Sequence, residues 1–181
     1  MQTIRTRWSW IVPDWYVNDV TDIDVVELKA AGIRGVILDF DNTLIASNSE
    51  RIAKDREKAV VTLIQTFGPD RVIIVSNKLS LFGWNSRLDS EAKRLAIQAY
   101  ATGWLIKPLP RSLKKAARQM KLAPENVLVI GDLISTDVAG VKLAGMKSLL
   151  ITPVPKSERL GIRLLRTMER WLFQPVFPHQ E

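Results

Sequence analysis

The sequence predicts an α/β fold, a parallel β-sheet wrapped by crossover helices, and three observations point to it. Apolar runs rich in β-branched residues alternate with amphipathic stretches of helical period. Each run is short and apolar throughout, as strands buried on both faces are. Three of the four helical stretches between them close on a glycine, at Gly68, Gly103 and Gly145. In chain order, a first helix is expected over about 23–31 with Gly32 after it, packed in front of the first strand. Five strands are expected at about 35–40, 72–76, 104–106, 127–130 and 148–151. The intervening helices fall at about 49–67, 87–102, 110–121 and 135–144, the third stopping before Pro124. A last amphipathic helix covers about 157–173, and a Trp- and Arg-rich segment occupies about 1–20. No internal repeat or low-complexity linker interrupts this order, and 181 residues with 46% hydrophobic side chains suit one domain, 1–181, with a sizeable core.

Composition excludes several classes of protein. Six Trp and a mean hydropathy near zero argue against disorder. No apolar run approaches the roughly 20 residues that span a bilayer. The opening MQTIRTRWSWIVPDW lacks the long apolar core and small-residue cleavage site of a secretory signal, so a cytoplasmic address is expected, with peripheral contact at a membrane left open. The absence of cysteine removes disulfides, thiolate zinc sites and cysteine nucleophiles, and the single histidine, His179, sits near the C-terminal end. Catalysis must therefore draw on carboxylates, hydroxyls and lysine. The net charge of +7 favours an anionic partner: nucleic acid, an acidic lipid surface or a phosphorylated small molecule.

In open parallel sheets the functional groups gather at the carboxyl ends of the strands. Here the first strand runs into Asp39, Phe40, Asp41, Asn42 and Thr43, and the second into Ser76 and Asn77. Lys107 and Pro108 follow the third, and Gly131, Asp132 and then Asp137 follow the fourth. Singly, each is an ordinary cap or turn residue. Together, the carboxylates would repel one another unless a cation neutralised them, and the candidates are Lys107 and a bound divalent ion. Carboxylate and carbonyl oxygens without His or Cys suit Mg2+.

The set resembles the haloacid dehalogenase superfamily, subfamily IIIA. Its DxDx[TV] motif matches DFDNT at 39–43, its hydroxyl motif IIVSN with Ser76, its lysine Lys107, and its GDxxxTD motif GDLISTD at 131–137. The resemblance implies a Rossmann-like, doubly wound, mainly parallel five-stranded sheet and a Mg2+-dependent phosphomonoesterase. Asp39 would be the nucleophile that forms an aspartyl-phosphate and Asp41 the proton donor and acceptor. Lys107 would hold the phosphate and the Asp39 carboxylate; Asn42, Ser76, Asn77 and Lys107 would bind the phosphoryl group. Asp39, Asp41, Asp132 and Asp137 would form the metal set, and Thr43 and Thr136 would fix turns. A response-regulator receiver shares some of these features, but its acidic residues precede the hydroxyl and the lysine, whereas GDLISTD follows Lys107 here.

The spacings from Asp39 to Ser76 and from Ser76 to Lys107 leave little room for the cap domain that superfamily members use to enclose small metabolites. An open site is expected, suited to a substrate whose bulk stays outside. Over nearly its whole length the chain resembles the YqeG-like branch. The matching stretches include VPDWYVNDVTDI at 12–23, LKAAGIRGVILDFDNTL at 28–44, KPLPRSLKKA at 107–116 and PVPKSERLGIRLLRTMER at 153–170, while Lys78 departs from the small polar residue expected after SN. That branch contains phosphatidylglycerophosphate phosphatases, which implies a phospholipid head group as substrate. A soluble nucleotide, sugar or protein phosphate, or a non-catalytic RNA- or ribosome-binding role, are the alternatives; nucleic acid is disfavoured because no aromatic RNA-stacking motif is evident. In the last helix Arg159, Arg163, Arg166 and Arg170 form one stripe opposite Leu160, Leu164, Leu165, Met168, Trp171 and Leu172. That helix either docks on the sheet or lies in a membrane interface. Trp8, Trp10 and Trp15 have the same two readings, the basic run at 110–121 reads as a solvated helix face, and the oligomeric state is open.

Overall fold

The structure, a computed structural model, describes residues 12–46, 49–76, 86–101, 110–133 and 138–154. Among them six strands form one sheet: β1 (Trp15–Val17), β2 (Gly35–Asp39), β3 (Val72–Ser76), β4 (Gln98–Ala101), β5 (Val127–Gly131) and β6 (Lys147–Ile151). Their order is β1-β6-β5-β2-β3-β4 and every pairing is parallel. The helices are α1 (Val25–Ala30), α2 (Lys54–Phe67), α3 (Ser86–Leu95), α4 (Pro110–Gln119) and α5 (Ala139–Ala144). From β2 the chain steps outward to β3 and β4, returns to the other side of β2 as β5, and continues outward to β6. The direction reverses between β2 and β5, which opens a crevice beyond the carboxyl ends of those two strands.

Strand side chains alternate faces with period two, so each central strand feeds two cores. Val36, Leu38, Val72, Ile74, Leu128 and Ile130 pack on one face with Leu28 of α1, Val60 and Leu63 of α2, and Leu88 of α3. Ile37, Ile73, Val75, Val127 and Val129 pack on the other with Leu113 and Ala116 of α4 and Val141 of α5. Both faces are covered, which is why these strands read as unbroken apolar runs and why the sheet is doubly wound. Each such side chain, fully buried, stabilises by roughly 1.5–3 kcal/mol. At the start of β2 the layers approach so closely that a Cβ on Gly35 would lie 2.5 Å from Leu122 Cδ1 and 2.8 Å from Met120 Sδ.

Four of the five expected strands coincide with β2, β3, β5 and β6 to within a residue. The third does not. The helix expected over 87–102 ends at Leu95, and β4 occupies 98–101; residues 104–106 lie outside the described residues. The stop is local. Ala96 adopts a left-handed backbone (φ 53°), its amide bonds the Lys93 carbonyl, and the Ile97 amide bonds the Ala92 carbonyl, a closure usually built on glycine.

The helix expected from 49 starts only at Lys54. Ala53 is extended (φ −64°, ψ 148°), and Ile52 is buried while Arg51 and Ala53 are exposed, so 49–53 is a strap leading into α2. The helix expected over 135–144 is seen as α5, with 134–137 outside the described residues.

The sixth strand, β1, was not expected. It pairs Trp15 with Leu149 through Val17 with Ile151. Trp15 packs half-buried against the core with its indole nitrogen donating to Glu27 Oε1 at 2.9 Å, so it is part of the domain's cover. Trp8 and Trp10, and the helix expected at 157–173, lie outside the described residues.

Candidate functional site

Asp39 ends β2, and Asp132 follows the last residue of its neighbour β5, so the sheet register sets two carboxylates side by side at the reversal point. Both are 7% exposed. Between them stands the fully buried Thr43, whose Oγ1 lies 3.2 Å from Asp39 Oδ2 and 3.5 Å from Asp132 Oδ1. With a single proton to give, the hydroxyl donates to Asp39 at the shorter distance and stands within reach of Asp132.

Thr43 reaches this place because the chain turns sharply after β2. Leu44 and Ile45 amides both bond the Phe40 carbonyl at 3.1 Å, and the Asn42 amide bonds the Ile45 carbonyl at 2.8 Å. Asn42 takes a left-handed backbone (φ 64°), which asparagine tolerates better than most residues. Its carbonyl accepts from the Val154 amide at 2.9 Å, which pins the turn to the segment after β6.

Asp41 sits on this turn, only partly buried. Its Oδ2 accepts from Ser76 Oγ at 2.8 Å, at the end of β3, and its Oδ1 accepts from Arg87 Nη2 at 3.3 Å. The other Arg87 nitrogen, Nη1, donates to the Ser49 carbonyl at 2.7 Å. Arg87 lies in the first turn of α3, which Arg94 fixes by bridging Glu91 of the same helix and Glu57 of α2.

The structure therefore brings together Asp39, Asp41, Asn42, Ser76 and Asp132 of the residues singled out from sequence. Asn77, Lys78, Lys107, Thr136 and Asp137 lie outside the described residues. Two contributors were missed. Thr43 was read as a turn former; its position four residues after Asp39 in the same motif was the available signal. Arg87 carried no signal, since an arginine opening an amphipathic helix is ordinary and its partners lie 38 and 46 residues away.

Two nearly buried carboxylates set side by side repel each other, and a cation beside them relieves that repulsion. An all-oxygen donor set without imidazole or thiolate fits a hard divalent ion that retains several waters. Among the described residues no group of three or more such side chains surrounds a metal position, so Asp39 and Asp132 supply a partial set.

Comparison with known proteins identifies the chemistry. Residues 1–154 match the family model described as mitochondrial PGP phosphatase. The chain is 31% identical over 167 residues to "Probable phosphatase YqeG" of Bacillus subtilis, covering 90% of this chain and 89% of that protein. It is 28% identical to "Phosphatidylglycerophosphate phosphatase 1, chloroplastic" of Chlamydomonas reinhardtii over 94% of this chain, which spans 65% of that longer protein. In fold it is similar to an uncharacterized protein from Listeria monocytogenes serotype 4b, with a TM-score of 0.53 at 14% identity, covering 71% of this chain and 85% of that one. An open parallel sheet with its acidic strand ends at the reversal point, and a family match over most of the length, agree: the chain is an enzyme of the haloacid dehalogenase type, a phosphatase, and belongs to the YqeG-like PGP phosphatase family.

Proposed function

We propose that this phosphatase is a Mg2+-dependent phosphomonoesterase that works through an aspartyl-phosphate on Asp39 and removes the terminal phosphate of phosphatidylglycerophosphate. The observation that carries the mechanism is the arrangement of Asp39 and Asp132 about the Thr43 hydroxyl, with Asp41 held apart from them by Ser76 and Arg87. The family description and the name of the algal relative support the lipid.

In this reading an Asp39 carboxylate oxygen attacks phosphorus as the bond to the glycerol oxygen breaks, and Asp41 delivers the proton that the leaving oxygen needs. Asp41, now ionised, takes a proton from the water that attacks the aspartyl-phosphate, and inorganic phosphate leaves with Asp39 regenerated. Thr43 keeps the Asp39 carboxylate from rotating. The Ser76 hydroxyl can donate to Asp41 or to a phosphoryl oxygen, and substrate binding exchanges one for the other. Asn42 and Asn77 complete the phosphate contacts, and Lys107 neutralises phosphate charge; the sequence motifs support the roles of Asn77 and Lys107. Mg2+ would be held by Asp39 and Asp132, with Asp137 from the same motif as Asp132, and would supply charge neutralisation at the transferring phosphoryl group, while the Asp41 carboxylate, expected from sequence among the metal residues, is kept for proton transfer by its bonds to Ser76 and Arg87.

Phosphate release from phosphatidylglycerophosphate in detergent micelles, and from soluble phosphate esters, tests the reading. The lipid should be preferred. Chelation should abolish turnover and Mg2+ restore it, and Asp39→Asn should lower kcat by at least about a thousandfold. An Asp39→Asn variant with undiminished activity would refute the mechanism, and inactivity on the lipid would refute the substrate.

A further inference from the structure

Beside the turn that carries Asp41 lies a cleft of about 310 Å3, with Ile45, Ala46 and Val154 on its apolar wall and Ser49, Arg51 and Arg56 on its polar side. Backbone and side-chain bonds join it to the catalytic carboxylates. The Ile45 carbonyl and the Val154 amide both bond Asn42, at 2.8 and 2.9 Å, and the Ser49 carbonyl accepts from the same Arg87 guanidinium that donates to Asp41. The cleft therefore flanks the turn that carries Asp41 and Asn42, while the catalytic carboxylates themselves lie outside its lining.

Its charge is positive on one side. Asp19 neutralises Arg56, whose Nε and Nη2 both donate to Asp19 Oδ2. Arg51 is exposed, and among the described residues no carboxylate pairs with it. The volume lies at the low end for small-molecule sites, roughly 300–1,000 Å3, which leaves room for a phosphate with its glycerol and none for two acyl chains.

We propose that this cleft is a specificity subsite for a second anionic group on the substrate, the phosphodiester that joins the head-group glycerol to the lipid, and that Arg51 is its ligand. The proposal rests on the phosphatidylglycerophosphate reading and deepens it. The scissile monoester meets Asp39 and the diester lies against the Arg51 guanidinium. The glyceryl carbons cover the Ile45 and Val154 wall, and the acyl chains stay outside in the bilayer. A guanidinium suits this role because its planar fork matches two phosphate oxygens at once.

The full chain, wild type and with Arg51→Ala or Arg51→Glu, would be assayed on three substrates. These are phosphatidylglycerophosphate in detergent micelles, its deacylated water-soluble head group, and p-nitrophenyl phosphate, which has no second anion. For Arg51→Ala, kcat/KM on either diester-bearing substrate relative to p-nitrophenyl phosphate should fall about tenfold, through KM, and Arg51→Glu should lower it further. An equal loss on all three substrates, or no loss, overturns the subsite. A loss confined to micelles also overturns it, because Arg51 would then meet the bilayer surface and not the head group. A wild-type enzyme that hydrolyses p-nitrophenyl phosphate but neither diester-bearing substrate refutes the substrate reading itself, and the subsite falls with it.

Discussion

Asp41 has donors on both carboxylate oxygens, and the two differ in kind. Ser76 contributes a neutral hydroxyl from the sheet, whereas Arg87 contributes a charged fork that also grips the strap at Ser49. In the proposed mechanism Arg87 is therefore a positioning residue: it holds the Asp41 carboxylate and the strap at Ser49 together. Replacing it with alanine should lower kcat about tenfold to a hundredfold with little change in KM, because a charge-assisted bond of roughly 1.5–3 kcal/mol is lost where geometry matters for proton transfer. Arg87→Lys should recover part of the loss, since it restores charge but not the fork. Steady-state kinetics on a soluble ester, with thermal unfolding as control, would show it; a wild-type kcat in Arg87→Ala would sink the assignment. Asp39, Asp41, Ser76 and Asp132 were legible in the sequence because each ends a strand or follows one within two residues, inside a short motif. Arg87 was not, because only the tertiary placement of α3 against β3 and β4 brings it to Asp41.

At the level of elements, the strands were legible where both faces are covered. An unbroken apolar run such as VIIVS at Val72–Ser76 can be little else when flanked by turn signals. The boundary between α3 and β4 was illegible because the expected stop was a glycine and the actual one is Ala96. Lys121 does the same after α4: at φ 54° its amide bonds the Arg118 carbonyl, and the Leu122 amide bonds the Ala117 carbonyl. After α1 and α5 the equivalent positions are Gly32 and Gly145. Two helices thus carry a left-handed closure on residues whose Cβ opposes it at roughly 1–2 kcal/mol. Glycine relieves that strain at some cost in unfolded-chain entropy, so Ala96→Gly and Lys121→Gly should each stabilise the domain by about 0.5–1 kcal/mol. Urea or thermal unfolding would measure this, and a destabilisation at both positions would show that the closures are not strained.

The whole molecule depends on its N-terminal edge more than its composition suggests. β1 is three residues long, yet it closes the sheet beside β6, and Asp14 secures it. The Asp14 backbone amide bonds the Ser148 carbonyl at 2.9 Å, and its Oδ2 accepts from the Ser148 amide at 2.8 Å and from Lys142 at 2.6 Å. Burial alone would raise the Asp14 pKa, but the Lys142 hydrogen bond, the Ser148 amide and the charges of Lys142 and Lys147 outweigh it, so the carboxyl titrates below its ordinary value of 3.8. A depressed carboxyl pKa stabilises the fold above the unfolded-state value, and that contribution is lost as pH falls from there through the folded-state value. Asp14→Asn removes the charge and keeps most of the shape. At neutral pH it should therefore cost about 1–2 kcal/mol, with the difference from wild type shrinking below pH about 4 as the wild-type carboxyl protonates. Urea titrations of both proteins between pH 3 and pH 7 would trace the convergence, and a constant difference across that range would show that the side chain acts through packing and not through its charge. Because β1 pairs directly with β6, whose following segment holds Asn42 through the Val154 amide, unfastening this edge should also reach the site. Asp14→Asn should lose phosphatase activity in acid no more steeply than wild type, while at neutral pH its thermal inactivation should come at a lower temperature.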